Sequence, residues 1–222
     1  MGVTKGAVSA GLLRDRLRLE GALRSGDRVA AELILDGWDA PELDAQALDD
    51  LIVPVILRLD SLWVEGGASI SEVYMATRLC AAIIDDRRAQ GLPALRPDQP
   101  RIAICMLEDS HALGMKMVLQ VMRCAGYEVA DWGTRRTVNE VVDGVVREGV
   151  EVVLLSVLML RSALRVAQVR ERLLHVGWNP FIVVGGAPFR LDRGLAAEVG
   201  ADFVGMSAAD VLPIIGRIEA LR

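Results

Sequence analysis

Arg101-Ile-Ala-Ile-Cys-Met-Leu-Glu-Asp-Ser-His-Ala-Leu-Gly114 is the stretch on which the fold turns. Ile102 to Leu107 is a continuous apolar run of strand length, with no polar residue on either alternating face. That pattern belongs to a strand covered on both sides, as in a parallel sheet. The character then changes at once, to two acids, a serine, a histidine and a glycine, at the point where such a strand leaves the sheet.

The same rhythm repeats toward the C-terminus. A helical segment runs to Ala125, and YEVADWG at 127–133 precedes a helix to about Arg147. VVLLSVL at 152–158 precedes a helix to about Val176, FIVVGG at 181–186 and ADFVGM at 201–206 follow, and a last helix begins near Ala208. Five strands in β-α alternation predict an α/β fold, a doubly wound five-stranded parallel sheet of Rossmann-like or flavodoxin-like type. Toward the N-terminus the chain is different. Pro93, Pro97, Pro100 and Gly91 fall within Arg87 to Pro100, a stretch without apolar periodicity that reads as a linker, with 91–100 as its core. Before it the spacing is helical: Leu12 to Leu23, Val29 to Leu35 ending at Gly37, Asp49 to Trp63, and a fourth run through Ile84 capped by Ser69 or Ser71. The expected organisation is a four-helix bundle cap over residues 1–90, a linker over 91–100 and an α/β domain over 101–222.

Composition narrows the function. Apolar residues make up 52% of the 222, which excludes a disordered chain. Mean hydropathy is +0.34, yet the longest apolar stretch, Val152 to Leu160, is interrupted by Ser156 and is far shorter than the roughly 20 residues of a membrane span. The first residues, MGVTKGAVSAGLLRDRLR, lack a long apolar core, so neither a signal peptide nor an anchor is expected. Cys80, Cys105 and Cys124 are odd in number and widely spaced, which argues for a reducing, cytoplasmic setting. A net charge of −5 argues against direct nucleic-acid binding.

The candidate chemistry lies in the loops after the strands, where open parallel sheets bind ligands. The first loop holds Asp109 and His111 ahead of Gly114; an imidazole oriented by a carboxylate is a good transition-metal ligand. The third holds Ser156, Leu158 and Ser162, and the fourth Gly185 and Gly186. His175 falls at a helix end, where a cation suits the helix dipole, and Arg161, Arg165, Arg170 and Arg172 read as a solvated helix face.

Asp109-x-His111-x-x-Gly114, Ser156-x-Leu158 and Gly185-Gly186 resemble in order and spacing the DxHxxG…SxL…GG signature of methionine synthase and of the corrinoid proteins of methyltransferase systems. The resemblance implies a bound cobalamin (methylcobalamin or another corrinoid), with His111 as lower axial ligand in place of the cofactor's own dimethylbenzimidazole. It further implies that Asp109 accepts the second ring proton of His111 and that Ser162 ends the proton relay. Ser156 and Leu158 would meet the displaced base, with Gly185 and Gly186 leaving space for the nucleotide tail. Two departures stand out. Glu108 replaces a glycine and Ala112 an aspartate of the family pattern. Val73 and Tyr74 stand where cobalamin light sensors have Glu-His, so no second histidine faces the upper side there. The function implied is a corrinoid protein carrying a methyl group between donor and acceptor methyltransferase subunits, itself without a donor-activating site. The alternative is a cobalamin-dependent sensor or antirepressor acting on a transcription regulator.

Overall fold

The computed structural model describes residues 10–37, 48–89, 96, 98–110 and 112–222. They fall into two units, residues 1–96 with Cys124–Gly126, and residues 97–123 with 127–222.

In the first unit the described helices are α1 (Ala10–Ser25), α2 (Arg28–Asp36), α3 (Val53–Val64) and α4 (Ile70–Ala89). They bury an apolar stripe each, including Leu19 and Leu23, Ile34 and Leu35, Ile56 and Leu59, and Ile83 and Ile84. Asp27 caps α2 by accepting the Ala30 amide at 3.0 Å. A π-helical turn, Leu48–Ile52, precedes α3. Its cause is Pro54, which has no N–H for the carbonyl four residues back and crowds it with its ring. That carbonyl, of Asp50, accepts instead from Arg16 Nε at 2.7 Å. For α4 the cap is Ser69, not Ser71. Ser69 Oγ accepts the Glu72 amide at 3.2 Å, and Glu72 returns a carboxylate oxygen to the Ser69 amide at 2.7 Å. The helix continues to Ala89, so Arg87, expected to open the linker, is helical; its side chain is buried and pairs with Asp36. Residues 90–95 and 97 of the expected linker lie outside the described residues.

The second unit is built on β1 (Ile102–Met106), β2 (Val129–Asp131), β3 (Val152–Ser156), β4 (Phe181–Gly185) and β5 (Phe203–Gly205), all parallel, in the order β2-β1-β3-β4-β5. This is the flavodoxin-type order. The intervening helices are α5 (Leu113–Cys124), α6 (Val138–Glu148), α7 (Leu160–His175), the short α8 (Ala187–Leu191) and α9 (Leu195–Glu198), and α10 (Val211–Glu219). One sheet face sends Cys105, Leu155 and Val184 into a core with Val141 of α6, Val166 of α7 and Phe189 of α8. The alternate residues Ile104, Leu154 and Val183 are buried as well. Both faces are therefore covered, which is why the strand sequences are continuously apolar.

Three expectations are corrected. β2 is shorter than 127–133, because Gly133 takes a left-handed φ of 78° and turns the chain out of the ladder. α10 begins at Val211 rather than near Ala208, since the Asp210 carboxylate holds the amides of Met206 and Ser207 at 2.8 and 3.0 Å in a loop. Arg170 is not solvated. It donates to the carbonyls of Gly200 and Pro180 and pairs with Asp202, tying α7 to the starts of β4 and β5. Among the described residues no helix is long and apolar enough to cross a membrane.

Candidate functional site

In this strand order the chain leaves β1 toward one edge of the sheet and β3 toward the other. The loops after these two neighbouring strands therefore diverge, leaving a crevice at their C-terminal ends. Register brings the signature together there. Met106, Ser156, Gly185 and Gly205 stand in one row across β1, β3, β4 and β5. Ser156 is half-buried at the end of β3, and its carbonyl accepts the Leu107 amide at 3.2 Å.

Asp109 joins the first loop to the third. It is 7% exposed, and its Oδ2 accepts the amides of Leu158 at 2.8 Å and Met159 at 3.1 Å. Those amides immediately precede α7, so the carboxylate faces the positive end of the helix dipole. Oδ1 accepts no bond from the described residues. The β2–α6 loop secures the backbone, Arg135 N donating to Asp109 O at 2.8 Å. His111 lies outside the described residues. Gly114 sits in the first turn of α5, exposed, where a Cβ would meet nothing within 4 Å.

Ser162, in the first turn of α7, is fully buried, and its Oγ has no hydrogen-bond partner among the described residues. A buried hydroxyl without a partner is unusual enough to need a reason, and a ligand or water that completes it is the common one. Around the crevice mouth Leu113, Leu158, Met159, Leu160 and Leu164 are all substantially exposed. Apolar side chains gathered on the loops and first turns at one end of a sheet form a surface that a flat apolar ligand would cover.

The two glycines also meet the chain's own backbone. Gly186, with φ 126°, lies so close to β3 that a Cβ would stand 1.8 Å from the Val157 carbonyl oxygen. Gly185 O in turn accepts the Val157 amide at 3.0 Å. The absent side chain at 186 is therefore demanded by chain against chain, whatever else approaches. Gly185 would place a Cβ 3.3 Å from Gly205 O, a tight contact of the same kind.

Other groups take no part. Burial pushes the Cys105 thiol up to about 12, so it stays protonated and inert at neutral pH. Among the described residues no group of three His, Cys, Asp or Glu is arranged to hold a metal ion, so a protein-only metal cage is not formed there. His175 is exposed at the last position of α7, where a cation suits the dipole. Sequence reasoning missed Ser207, whose buried Oγ also lacks a partner among the described residues, just past Gly205 in the row of strand ends. Only the register of β5 against β4 could have found it, since Gly-Met-Ser after a strand carries little signal by itself. The Met159 amide was likewise invisible, because a backbone group leaves no residue-type signature.

The model of the B12 binding domain matches residues 101–214. Over 114 residues the chain is 33% identical to a trimethylamine corrinoid protein of Methanosarcina barkeri, covering 50% of this chain and 52% of that one, so the chain spans about half the length of this relative. Trimethylamine corrinoid protein 1 of Methanosarcina mazei is 26% identical over 189 residues, covering 78% of this chain and 86% of that protein. In fold the chain is similar to a cobalamin-binding protein from Desulfitobacterium hafniense DCB-2, with a TM-score of 0.73 at 22% identity over 91% of this chain and 97% of that one. It is also similar to the methanol:cobalamin methyltransferase complex from Methanosarcina barkeri, with a TM-score of 0.71 at 20% identity over 93% of this chain and 80% of that one.

Proposed function

Because the chain belongs to the B12-binding domain family, with a cobalamin or related corrinoid as its cofactor, we propose that it is a corrinoid carrier moving a methyl group between partner methyltransferases. In this proposal His111 would be the residue that holds the cobalt. The relatives named as trimethylamine corrinoid proteins support the carrier role and the methyltransferase partners. The chain's division is part of the same proposal: residues 1–90 a helical cap domain, 91–100 a linker and 101–222 the cofactor-binding domain.

One observation carries the assignment of the site. Among the described residues, Asp109 is anchored through Oδ2 on two amides ahead of α7 while Oδ1 accepts nothing, and Ser162, in the first turn of that same helix, buries a hydroxyl without a partner. A carboxylate fixed through one oxygen holds the other steady for an imidazole N–H two residues along the chain, setting the tautomer and raising the basicity of the ring. Ser162 would end the proton relay from that ring, the role the family resemblance implies for it. Ser156 and Leu158 offer a hydroxyl and an apolar wall to the displaced base of the cofactor. Gly114 leaves open space at the start of α5, and Gly185 and Gly186 keep the loop after β4 bare of side chains. Bound cobalamin would supply the chemistry of accepting and releasing the methyl group, while the protein supplies orientation and electronics. None of the relatives named above is described as a transcription regulator, and the regulator reading is left without support.

Loading the protein with hydroxocobalamin, removing free cofactor by gel filtration and comparing wild type with His111→Ala tests the proposal. Retention by wild type and its loss, or a changed visible spectrum, in the variant is the expected result. Equal retention with identical spectra overturns it.

A further inference from the structure

Glu108 holds a backbone conformation that its side chain disfavours. Its φ is 54°, in the left-handed region, where a residue with a Cβ is strained and glycine is not. The resembled pattern has glycine at this position, so the chain keeps a carboxylate at a place where the backbone favours none. Strained non-glycine residues persist where surrounding structure over-determines them, and they gather at functional sites. Two features over-determine this one. The Glu108 amide donates to the Arg136 carbonyl at 2.9 Å, and the next residue's carbonyl, of Asp109, accepts from Arg135 at 2.8 Å. The Glu108 carboxylate, 23% exposed, lies 3.6 Å from Nε of Arg165 on α7, whose other arm donates to Gln168 at 2.9 Å. Arg165 is one turn beyond Ser162, on the helix whose preceding amides bind Asp109. The loop between β1 and α5 is therefore fastened to α7 twice, by the Asp109 carboxylate on backbone amides and by the Glu108 carboxylate on a side chain.

We propose that Glu108 and Arg165 are positioning residues for the cobalt ligand: their ion pair fixes the loop that carries His111 against α7, in place of the freedom a glycine would give it. This rests on the proposal that His111 ligates the cobalt. The pair touches neither cofactor nor reacting atoms; it acts through the loop. In the sequence Arg165 stands in a run of helix arginines and Glu108 is a departure from a motif, and nothing there pairs one with the other.

The test uses cobinamide, which has no tail base, so nitrogen ligation of its cobalt reports the protein imidazole alone. Wild type, Glu108→Gln, Arg165→Gln, the double variant and Glu108→Gly are titrated with it, and each apoprotein is melted in parallel. His111→Ala is titrated as the control. Each single Gln variant is expected to weaken nitrogen-ligated binding about threefold, the scale of a partly exposed ion pair, and the double variant no further. Glu108→Gly is expected to weaken ligation at least as much while its apoprotein melts at or above the wild-type temperature, because the left-handed strain is relieved. That split separates positioning from general stability. Unchanged ligation in the single variants, additive losses in the double variant, or a loss in Glu108→Gly that merely follows a lowered melting temperature would each overturn the inference. If instead wild type shows no nitrogen ligation, or His111→Ala retains it, the proposal beneath this one is what fails.

Discussion

Replacing Gly186 by alanine should damage the fold before it damages any ligand site. The added Cβ would stand 1.8 Å from the Val157 carbonyl oxygen, against the 3.0 Å below which real Cβ contacts essentially never fall, so the two backbones must part by at least 3.0 − 1.8 = 1.2 Å. Such a shift breaks the bond from the Val157 amide to the Gly185 carbonyl, now 3.0 Å long, at the end of the β3–β4 ladder. A buried amide and carbonyl left unpaired cost about 1–3 kcal/mol. Holding alanine at φ 126° costs a further 1–3 kcal/mol or so, on the scale of other backbone strain. The expected loss is therefore about 2–6 kcal/mol, a large fraction of the roughly 5–15 kcal/mol typical of a folded domain. Urea unfolding of the apoprotein, followed by far-ultraviolet circular dichroism, measures it. Gly114→Ala is the internal contrast. Its Cβ meets nothing within 4 Å and lies on a helix, so its apoprotein should be unchanged or more stable by up to about 1 kcal/mol. A Gly186→Ala protein that loses less than about 1 kcal/mol would refute the argument that this glycine is required by the chain's own packing.

Three further outcomes follow from the same geometry. Asp109→Ala strands the amides of Leu158 and Met159 at the start of α7 and should destabilise the apoprotein by about 2 kcal/mol in thermal unfolding; no change would mean that water satisfies them as well. Ser162→Ala removes a buried hydroxyl that has no partner among the described residues, so the apoprotein should melt at or slightly above wild type while cobalamin binding weakens; a clear fall in melting temperature would show that the hydroxyl is already bonded. In α6 the hydrogen bonds from the backbone and side chain of Thr137 hold the Glu140 carboxyl below its ordinary value of 4.5. A depressed folded value means the stabilisation is complete above the unfolded value and fades as pH falls through the folded one. The melting-temperature gap between wild type and Glu140→Ala should thus be constant at neutral pH and close as pH drops below about 4.5; a gap that widens on acidification contradicts it.

Much of the architecture was legible because burial on both faces writes itself into residue type. Apart from the terminal Ser156, Ile102–Met106, Val152–Ser156 and Phe181–Gly185 carry no polar side chain for that reason, and polar Asp109 follows where the first strand leaves the sheet. The site's loops were legible by the same logic, since Ser156 and Gly185 end strands that prove to be paired in register. What stayed hidden depends on partners far away in sequence. The π-helical turn before α3 needs both Pro54 and the guanidinium of Arg16 to take the carbonyl that Pro54 leaves free. Arg170 looks like any helix arginine until Gly200, Pro180 and Asp202 are folded around it. Gly186 reads as room for a ligand, and only the Val157 carbonyl reveals the tighter constraint. The left-handed backbone at Glu108 has no signature at all in the residue that occupies it, because glutamate is a poor choice for that conformation.

Electron paramagnetic resonance of the protein loaded with cobinamide in its cobalt(II) state tests most directly whether His111 holds the cobalt. An imidazole from the chain would impose nitrogen superhyperfine splitting on the cobalt signal, and cobinamide offers no nitrogen of its own on the lower face. Splitting in wild type that vanishes in His111→Ala is the predicted result. Its absence in wild type, or its persistence after the imidazole is removed, would contradict the assignment of His111 as the metal's ligand.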